Sequence, residues 1–472
     1  MTDLLFTPAT TLRRLLIERK VSARELVAAH LDQIERVNPA VNAIVTLVPE
    51  RAMAAAEAAD EALLAGADPG LLHGLPVAHK DLTETAGIRT TYGSPLYADH
   101  VPQESALIVE RMWEAGAIPL GKTNTPEFGA GSQTYNTVFG TTVNPYDPTK
   151  TVGGSSGGSA AALAAAMVAL ADGSDYGASL RNPAAFCNVV GFRPTPGRIP
   201  TWPTKYPWWS GSVQGPMGRT VDDVALLLSA TAGPDRRIPI SIAEPGTVFG
   251  SDLSADVRHF RVAWSDDLGG LPVDGAVEAV LAPHRETFVE LGCAVVDDEP
   301  DLRGFEEAFM TWRCWKVASD YGTIVRRHPE AVKAETMWTA EQGFALTAED
   351  LGRAEVARGK VFQRAAVFFG RYDFLVCPVV QVPPFDAAVP WVEEIAGVRM
   401  EHFLQWLQCC YAISVIESPA ISMPAGFTDG GLPIGIQIVG RRGDDLGVLR
   451  LAKAFEAATG HWKQRPTMAV VR

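Results

Sequence analysis

The stretch VGGSSGGSAAALAAAMVALADGSDYGASLRNPA, Val152 to Ala184, joins a glycine- and serine-rich loop to an alanine-rich run and then to a second serine-bearing loop. At its head, Gly153–Ser159 sets four glycines beside three serines. Such a loop suits a flexible linker, a phosphate cradle, or a catalytic loop in which one serine works as an acid or base. The apolar run that follows, Ala160 to Ala171, has 12 residues and is too short to span a bilayer. The neighbouring segments decide between the three readings.

Upstream, VSARELVAAHLDQIERVN opens with a capping box, Ser22 followed by Glu25. It then places Leu26, Val27, His30, Leu31 and Ile34 on one helical face. NAIVTLV reads as a strand, RAMAAAEAADEALLAG as a helix stopped by Gly66, and GLPVAHKD as a short strand ending in polar residues. ESALIVERMWEAG is a helix, and AIPLGKTN a strand and loop. The alternation continues through CNVVGF, VDDVALLLSATAG, FRVAW and CAVV. It predicts an α/β fold with a mixed, mostly parallel, twisted central sheet and helices on both faces. From about 301 to 405 the pattern turns helical and rich in Trp and Arg, with one strand-like piece, FLVCPVV. That region reads as a helical excursion covering one side of a single domain spanning 1–472. SPAISMPAGF, LPIGIQIVG and a last helix, DDLGVLRLAKAFEAATG, close the chain.

Composition narrows the class. With 47% hydrophobic and 20% charged residues the chain is an ordinary globular protein. The net charge of −14 argues against a nucleic-acid partner. Cys187, Cys293, Cys314, Cys377, Cys409 and Cys410 form no C-x-x-C pair and read as buried thiols in a reducing compartment. No secretory segment or membrane span is expected, so the location expected is cytoplasmic. Neither a cofactor nor a metal is expected, and the chain is expected to act as a monomer or homodimer.

Three chemical readings compete at the glycine-rich segments. GAIPLGKT, Gly116 to Thr123, matches a phosphate-loop pattern, but a helix precedes it and its interior is itself strand-like. GGSSG and GSSGG match a hydrolase elbow at Ser155 or Ser156, but the preceding NPYDPTKTV reads as a loop where an elbow needs a strand. The third reading needs no histidine. Serine is a weak nucleophile without a base, and a lysine serves as one when burial lowers its pKa. A second serine extends that lysine's reach. Lys80 at the end of GLPVAHKD, Ser155 in GGSSGGS and Ser179 in DGSDYGASLRNPAA supply the three parts.

Together these segments resemble the amidase signature hydrolases. Val152–Ala184 is similar to the signature itself. GLPVAHKD, AGAIPLGKTNTPEFG, GSVQGPMGRTVDDV and SPAISMPAGF…GLPIGIQIVG resemble its flanking segments, covering about 22 to 300 and 374 to the end. The resemblance implies a Ser–cis-Ser–Lys triad in which Lys80 is the base, Ser155 the bridging serine behind a cis peptide bond, and Ser179 the nucleophile. The separations, 24 and 75 residues, fit that pattern. It implies an oxyanion hole from the backbone N–H groups of Tyr176, Gly177, Ala178 and Ser179, with Asp175 and Arg181 bracing the turn. The commoner run at this turn is Thr-Gly-Gly-Ser, so Tyr176 and Ala178 are departures.

Ser156 and Ser159 read as caps of the alanine-rich helix. His79 alternates to the strand face opposite Lys80 and is not read as a base. Tyr176 adds an aromatic wall near the scissile bond or simply packs. TWPTKYPWWS, with Trp202, Tyr206, Trp208 and Trp209, forms either the rim of a substrate entrance or core and lid packing. The resemblance also assigns Gly131 and Ser132 to the acyl pocket. The substrate class it implies is a bulky or aromatic amide, anilide or carbamate, hydrolysed through an acyl- or carbamoyl-enzyme as in aryl acylamidases and urethanases. Two alternatives stand beside it: the glutaminase subunit of a tRNA-dependent amidotransferase, and a catalytically dead scaffold that only binds.

Overall fold

Ser22 accepts the backbone N–H of Glu25 at 3.1 Å, and the Glu25 carboxylate accepts the N–H of Ser22 at 2.9 Å. Two of the helix's orphan donors are thereby satisfied, and helix α1 (Ala23–Val41) starts where the capping box predicts. The computed structural model describes residues 2–470, so Met1, Val471 and Arg472 of the expected 1–472 domain lie outside the described residues. The apolar run Ala160–Ala171 does not form one element. It divides into helix α2 (Gly157–Ala164) and the start of a strand, turning at Ala166, whose φ is +55°. Every residue of the run is buried, which explains why it lacks a polar face. Helix α3 (Arg181–Phe186) follows the second serine loop. The Trp-rich region supplies α4 (Phe305–Arg327), α5 (Ala334–Ala345) and α6 (Ala348–Arg371), and α7 (Asp445–Thr459) ends the α/β part.

One sheet holds eleven strands: β1 (Ile44–Leu47), β2 (Pro76–Lys80), β3 (Ile118–Thr123), β4 (Leu170–Asp175), β5 (Val190–Arg193), β6 (Val213–Gly218), β7 (Arg261–Trp264), β8 (Ala294–Asp297), β9 (Phe374–Pro378), β10 (Ala420–Phe427) and β11 (Pro433–Gly440). Their spatial order is β1-β3-β2-β4-β6-β5-β10-β11-β9-β7-β8. The single α/β architecture with a large mixed sheet is the one expected. Parallel pairing occupies two groups, β3-β2-β4 and β9-β7-β8. Between them β6, β5, β10 and β11 pair antiparallel with their neighbours. The physical reason is visible at β10 and β11, which a tight turn at Thr428–Leu432 joins as a hairpin.

Helices cover both faces. On β11, a Cβ at Gly435 would meet Ala185 of α3 at 2.7 Å, and one at Gly440 would meet Val448 of α7 at 2.6 Å. Residues five apart in a strand face opposite sides, so α3 and α7 lie on opposite faces. The α4–α5 pair has a small apolar cluster of its own, Val317, Val325, Val332 and Ala340, apart from the main core. All six cysteines are buried free thiols, and Cys409 and Cys410 pack within the helix Gln408–Val415. Among the described residues no helix is long and apolar enough to cross a membrane.

Candidate active site

Parallel pairing of β2 with β4, in register at Val77↔Leu170 and Ala78↔Ala171, brings Lys80 at the end of β2 beside the end of β4. The glycine-rich loop lies against this edge, where open α/β sheets hold their ligands. The site is therefore assembled from segments 75 to 99 residues apart in sequence by two strand ends and one loop.

Lys80 is completely buried. Its Nζ donates to Ser155 Oγ at 2.6 Å, Ser156 Oγ at 2.9 Å and Ser174 Oγ at 3.1 Å. Burial pulls the amine down to about 7, against the opposing pull of Asp175 and Asp172. An amine so placed loses its proton near neutrality and can then accept one. The peptide bond between Gly154 and Ser155 is cis.

The loop sits where it does because neighbours leave no room for side chains. A Cβ at Gly154 would lie 3.0–3.1 Å from the backbone of Gln133. Thr134 Oγ1 donates to the carbonyl of Gly153 at 2.8 Å and accepts the N–H of Gly157 at 3.2 Å. Ser156 stands at the N-cap of α2, as expected, but its hydroxyl makes no capping bond and faces Lys80 instead. That corrects the expectation of a cap. Ser159 likewise turns inward, donating to the carbonyl of Asp172 at 2.9 Å and lying 2.8 Å from Thr123 Oγ1.

Ser179 lies in the turn between β4 and α3 and is partly exposed. Its carbonyl accepts the N–H of Ser156 at 3.2 Å, which fastens the turn over the glycine-rich loop. Among the described residues no acceptor takes the N–H groups of Tyr176, Gly177, Ala178 or Ser179. Ala178 is buried and is not among the residues with positive φ, so its Cβ is accommodated. The turn rests on a buried charge network. Asp175 accepts from Arg181 Nε and Nη2 and from Arg193 Nη1, each at 3.1 Å. Burial pushes the Asp175 carboxyl up, but the two guanidinium groups outweigh it and hold it below its usual range. Arg181 also donates to the Gly177 carbonyl at 2.7 Å, bracing the turn from inside.

His79 belongs to the other face, as its alternation predicts. Its Nε2 accepts the indole N–H of Trp113 at 3.2 Å, so Nδ1 carries the hydrogen and donates to Asp172 at 2.7 Å. Lys122, from the phosphate-loop match, is buried within β3 and donates to the Thr83 carbonyl and to Thr85 Oγ1. Its amine is spent inside the protein, which removes the match as a phosphate cradle.

Aromatic side chains gather against the turn that carries Ser179. Tyr176 stacks on Trp209 with centroids 6.1 Å apart and packs on Phe309 at 5.2 Å. Trp209 in turn meets Trp312 and Trp315 of α4, each at 5.7 Å. Tyr176, Trp209, Phe309 and Trp312 line one cavity together. Trp208 is not brought in: it is 73% exposed and lines neither this cavity nor the groove described next. That groove, of about 690 Å³, runs between Leu82, Tyr97, Phe128, Tyr206 and Tyr321. Gly129 lies between its Leu82 wall and the loop, since a Cβ there would be 2.7 Å from Leu82 and 3.5 Å from Ser155 Oγ. Gly131 and Ser132 are buried just beyond. Sequence reasoning passes over Ser174, although it stands one residue before Asp175 in the same serine-bearing segment.

Known proteins resemble this chain over nearly its whole length. The amidase family model matches residues 25–449. An acylamidase from Rhodococcus erythropolis is 37% identical over 98% of this chain and 98% of its own. The A-type component of the glutamyl-tRNA(Gln) amidotransferase of a Dehalococcoides mccartyi strain is 34% identical over 99% and 100%. Among solved structures, a bacterial aryl acylamidase of the amidase signature family superposes with a TM-score of 0.93 at 28% identity, covering 99% of both chains. The chain belongs to the amidase signature family. It is a hydrolase of the serine type that acts on C–N bonds.

Proposed function

We propose that the chain hydrolyses bulky or aromatic amides, anilides among them, and carbamates of similar shape, with Ser179 as nucleophile, Ser155 as proton relay and Lys80 as base. Neutral Lys80 takes the Ser155 hydroxyl proton while Ser155 takes that of Ser179, and the Ser179 oxygen attacks the carbonyl carbon. The oxyanion lies against the N–H groups of Tyr176, Gly177, Ala178 and Ser179, each worth about 3 kcal/mol in the transition state. Ser155 returns the proton to the departing nitrogen, and water releases the acyl or carbamoyl group from Ser179.

One observation carries this reading: the 2.6 Å contact between a buried amine near neutrality and the hydroxyl of Ser155. The aromatic walls support the substrate class, since flat rings stack favourably on Tyr176, Trp209 and Phe309. The test is release of nitroaniline from a nitroanilide by the purified chain, without ATP or added metal. Ser179→Ala abolishes that release, together with labelling of Ser179 by a fluorophosphonate read by peptide mass. A chain that neither turns over amides nor takes the label would be a scaffold that only binds.

The relationship to the amidotransferase component favours a second reading, in which glutamine is the substrate and a partner receives the ammonia. Glutamine hydrolysis that appears only with ATP, tRNA and partner chains would establish it. Anilide hydrolysis by the isolated chain favours the first.

A further inference from the structure

Buried arginines in this protein are met by carboxylates or by several carbonyls. Arg181 and Arg193 share Asp175, and Arg198 pairs with Asp445 at 3.0 Å and Glu244 at 2.6 Å. Arg219 donates to the carbonyls of Leu163, Val168 and Thr7. Arg313 on α4 is different. It is only 7% exposed, its Nε lacks a partner as do those of Arg193 and Arg219, and its one hydrogen bond among the described residues runs from Nη2 to the Ala130 carbonyl at 2.5 Å. Among the described residues no carboxylate lies within ion-pair distance of it. A buried guanidinium with no carboxylate partner and an unpaired Nε is costly, and an arriving planar oxyanion offsets that cost.

Two contacts locate the group beside the reaction centre. Ala130 directly precedes the Gly131–Ser132 segment, and the preceding Gly129 approaches Ser155. On the other side, the Arg313 guanidinium carbon lies 5.9 Å from the ring centroid of Tyr176, which opens the turn carrying Ser179. Phe309, one helical turn earlier on α4, lies over Gly177 of that turn, where a Cβ would meet it at 2.9 Å. Phe309 and Arg313, four residues apart on one face of α4, therefore pack against the turn that carries Ser179 and the segment that precedes Gly131.

We propose that Arg313 binds the carboxylate at the far end of a substrate's acyl chain, so that the preferred substrates are half-amides of dicarboxylic acids. This rests on the reading of Ser179 as the acylated residue. The apolar walls hold the chain and the aromatic amine, and the guanidinium fork takes the terminal carboxylate.

The test compares glutaryl p-nitroanilide with pentanoyl p-nitroanilide, which has the same chain length and no charge. On Ser179→Ala, calorimetry gives at least about tenfold tighter binding of the glutaryl compound. On Ser179→Ala/Arg313→Leu that preference falls to about twofold or less. Equal binding of the two compounds by Ser179→Ala overturns the proposal, and so does a preference that survives loss of Arg313. Where Arg313→Leu does not fold, Arg313→Lys replaces the fork by a point charge, and an unchanged preference there overturns the proposal equally. Turnover by the unsubstituted chain is read separately. Failure to cleave either anilide, with the anionic preference intact, sinks the hydrolytic reading of Ser179 and leaves the carboxylate site standing.

Discussion

The Nζ of Lys80 lies 2.6 Å from the Oγ of Ser155, and both residues are sealed from solvent. A charged ammonium is disfavoured there, while a neutral amine aimed at a hydroxyl is a base in position. Most of the expected chemistry depends on that one contact.

The first prediction concerns pH. As the proposed base Lys80 works uncharged, and burial lowers its pKa to about 7. kcat/KM for an anilide therefore climbs about tenfold per pH unit below that value and levels off above it. Lys80→Arg, which stays protonated at all accessible pH, removes activity while preserving the fold, as checked by circular dichroism. A flat profile between pH 5 and 8 would contradict a base at Lys80.

Ser174 offers a finer test. Its hydroxyl accepts from Lys80 at 3.1 Å, and accepting from an amine favours the charged form. Ser174→Ala withdraws that support, so the acidic limb of the pH–rate profile moves to lower pH. Turnover at the plateau falls by about tenfold as the amine loses one of its three tethers.

Asp175 supports the turn through stability. Asp175→Asn leaves Arg181 and Arg193 buried without their shared charge, which costs about 3–5 kcal/mol in denaturant unfolding. The folded carboxyl has a pKa below its unfolded value. Its contribution is thus present above the unfolded value near 3.8 and is lost as pH falls through the folded one. The variant's acid-unfolding curve is correspondingly shallower than that of the parent chain.

Gly158 tests how closely the loop is fitted. A Cβ there would lie 2.3 Å from the Asn124 nitrogen and 2.8 Å from the Ala43 carbonyl oxygen, both backbone atoms that cannot swing aside. Gly158→Ala destabilises the chain by at least about 1–3 kcal/mol and lowers turnover through displacement of Ser155. Thermal unfolding and anilide assays read the two effects.

Trp209 and Tyr176 are tested by substrate size. Trp209→Ala raises KM for naphthyl or phenyl amides by about tenfold and changes acetamide hydrolysis much less, because only the large ring reaches the stack. An equal effect on both substrates would make the cluster packing alone.

Lys80, Ser155 and Ser179, the residues proposed to react, stand out in the sequence because each sits in a segment whose composition is otherwise hard to explain: a strand ending in a polar residue and two serine-bearing loops. Ser156 is misread because an N-cap and a lysine contact call for the same residue type, and only the bond to Lys80 tells them apart. Arg313 is hidden for another reason. Its partner carbonyl is 183 residues away, and a helix rich in arginine gives no sign of which one points inward. Strand order is equally remote from local pattern. Periodicity marks short strands along the chain, but antiparallel pairing through the middle of the sheet depends on long-range contacts such as β5 with β10.

The groups proposed to react and the surfaces that would grip a substrate are separate pieces of this molecule. Lys80 ends a strand and Ser155 and Ser179 sit on loops beside the sheet, whereas Phe309, Trp312 and Arg313 ride on α4, whose partnership with α5 has its own apolar centre. Selectivity can thus be resculpted by exchanging side chains along one helical face, with the proton machinery left untouched in the interior.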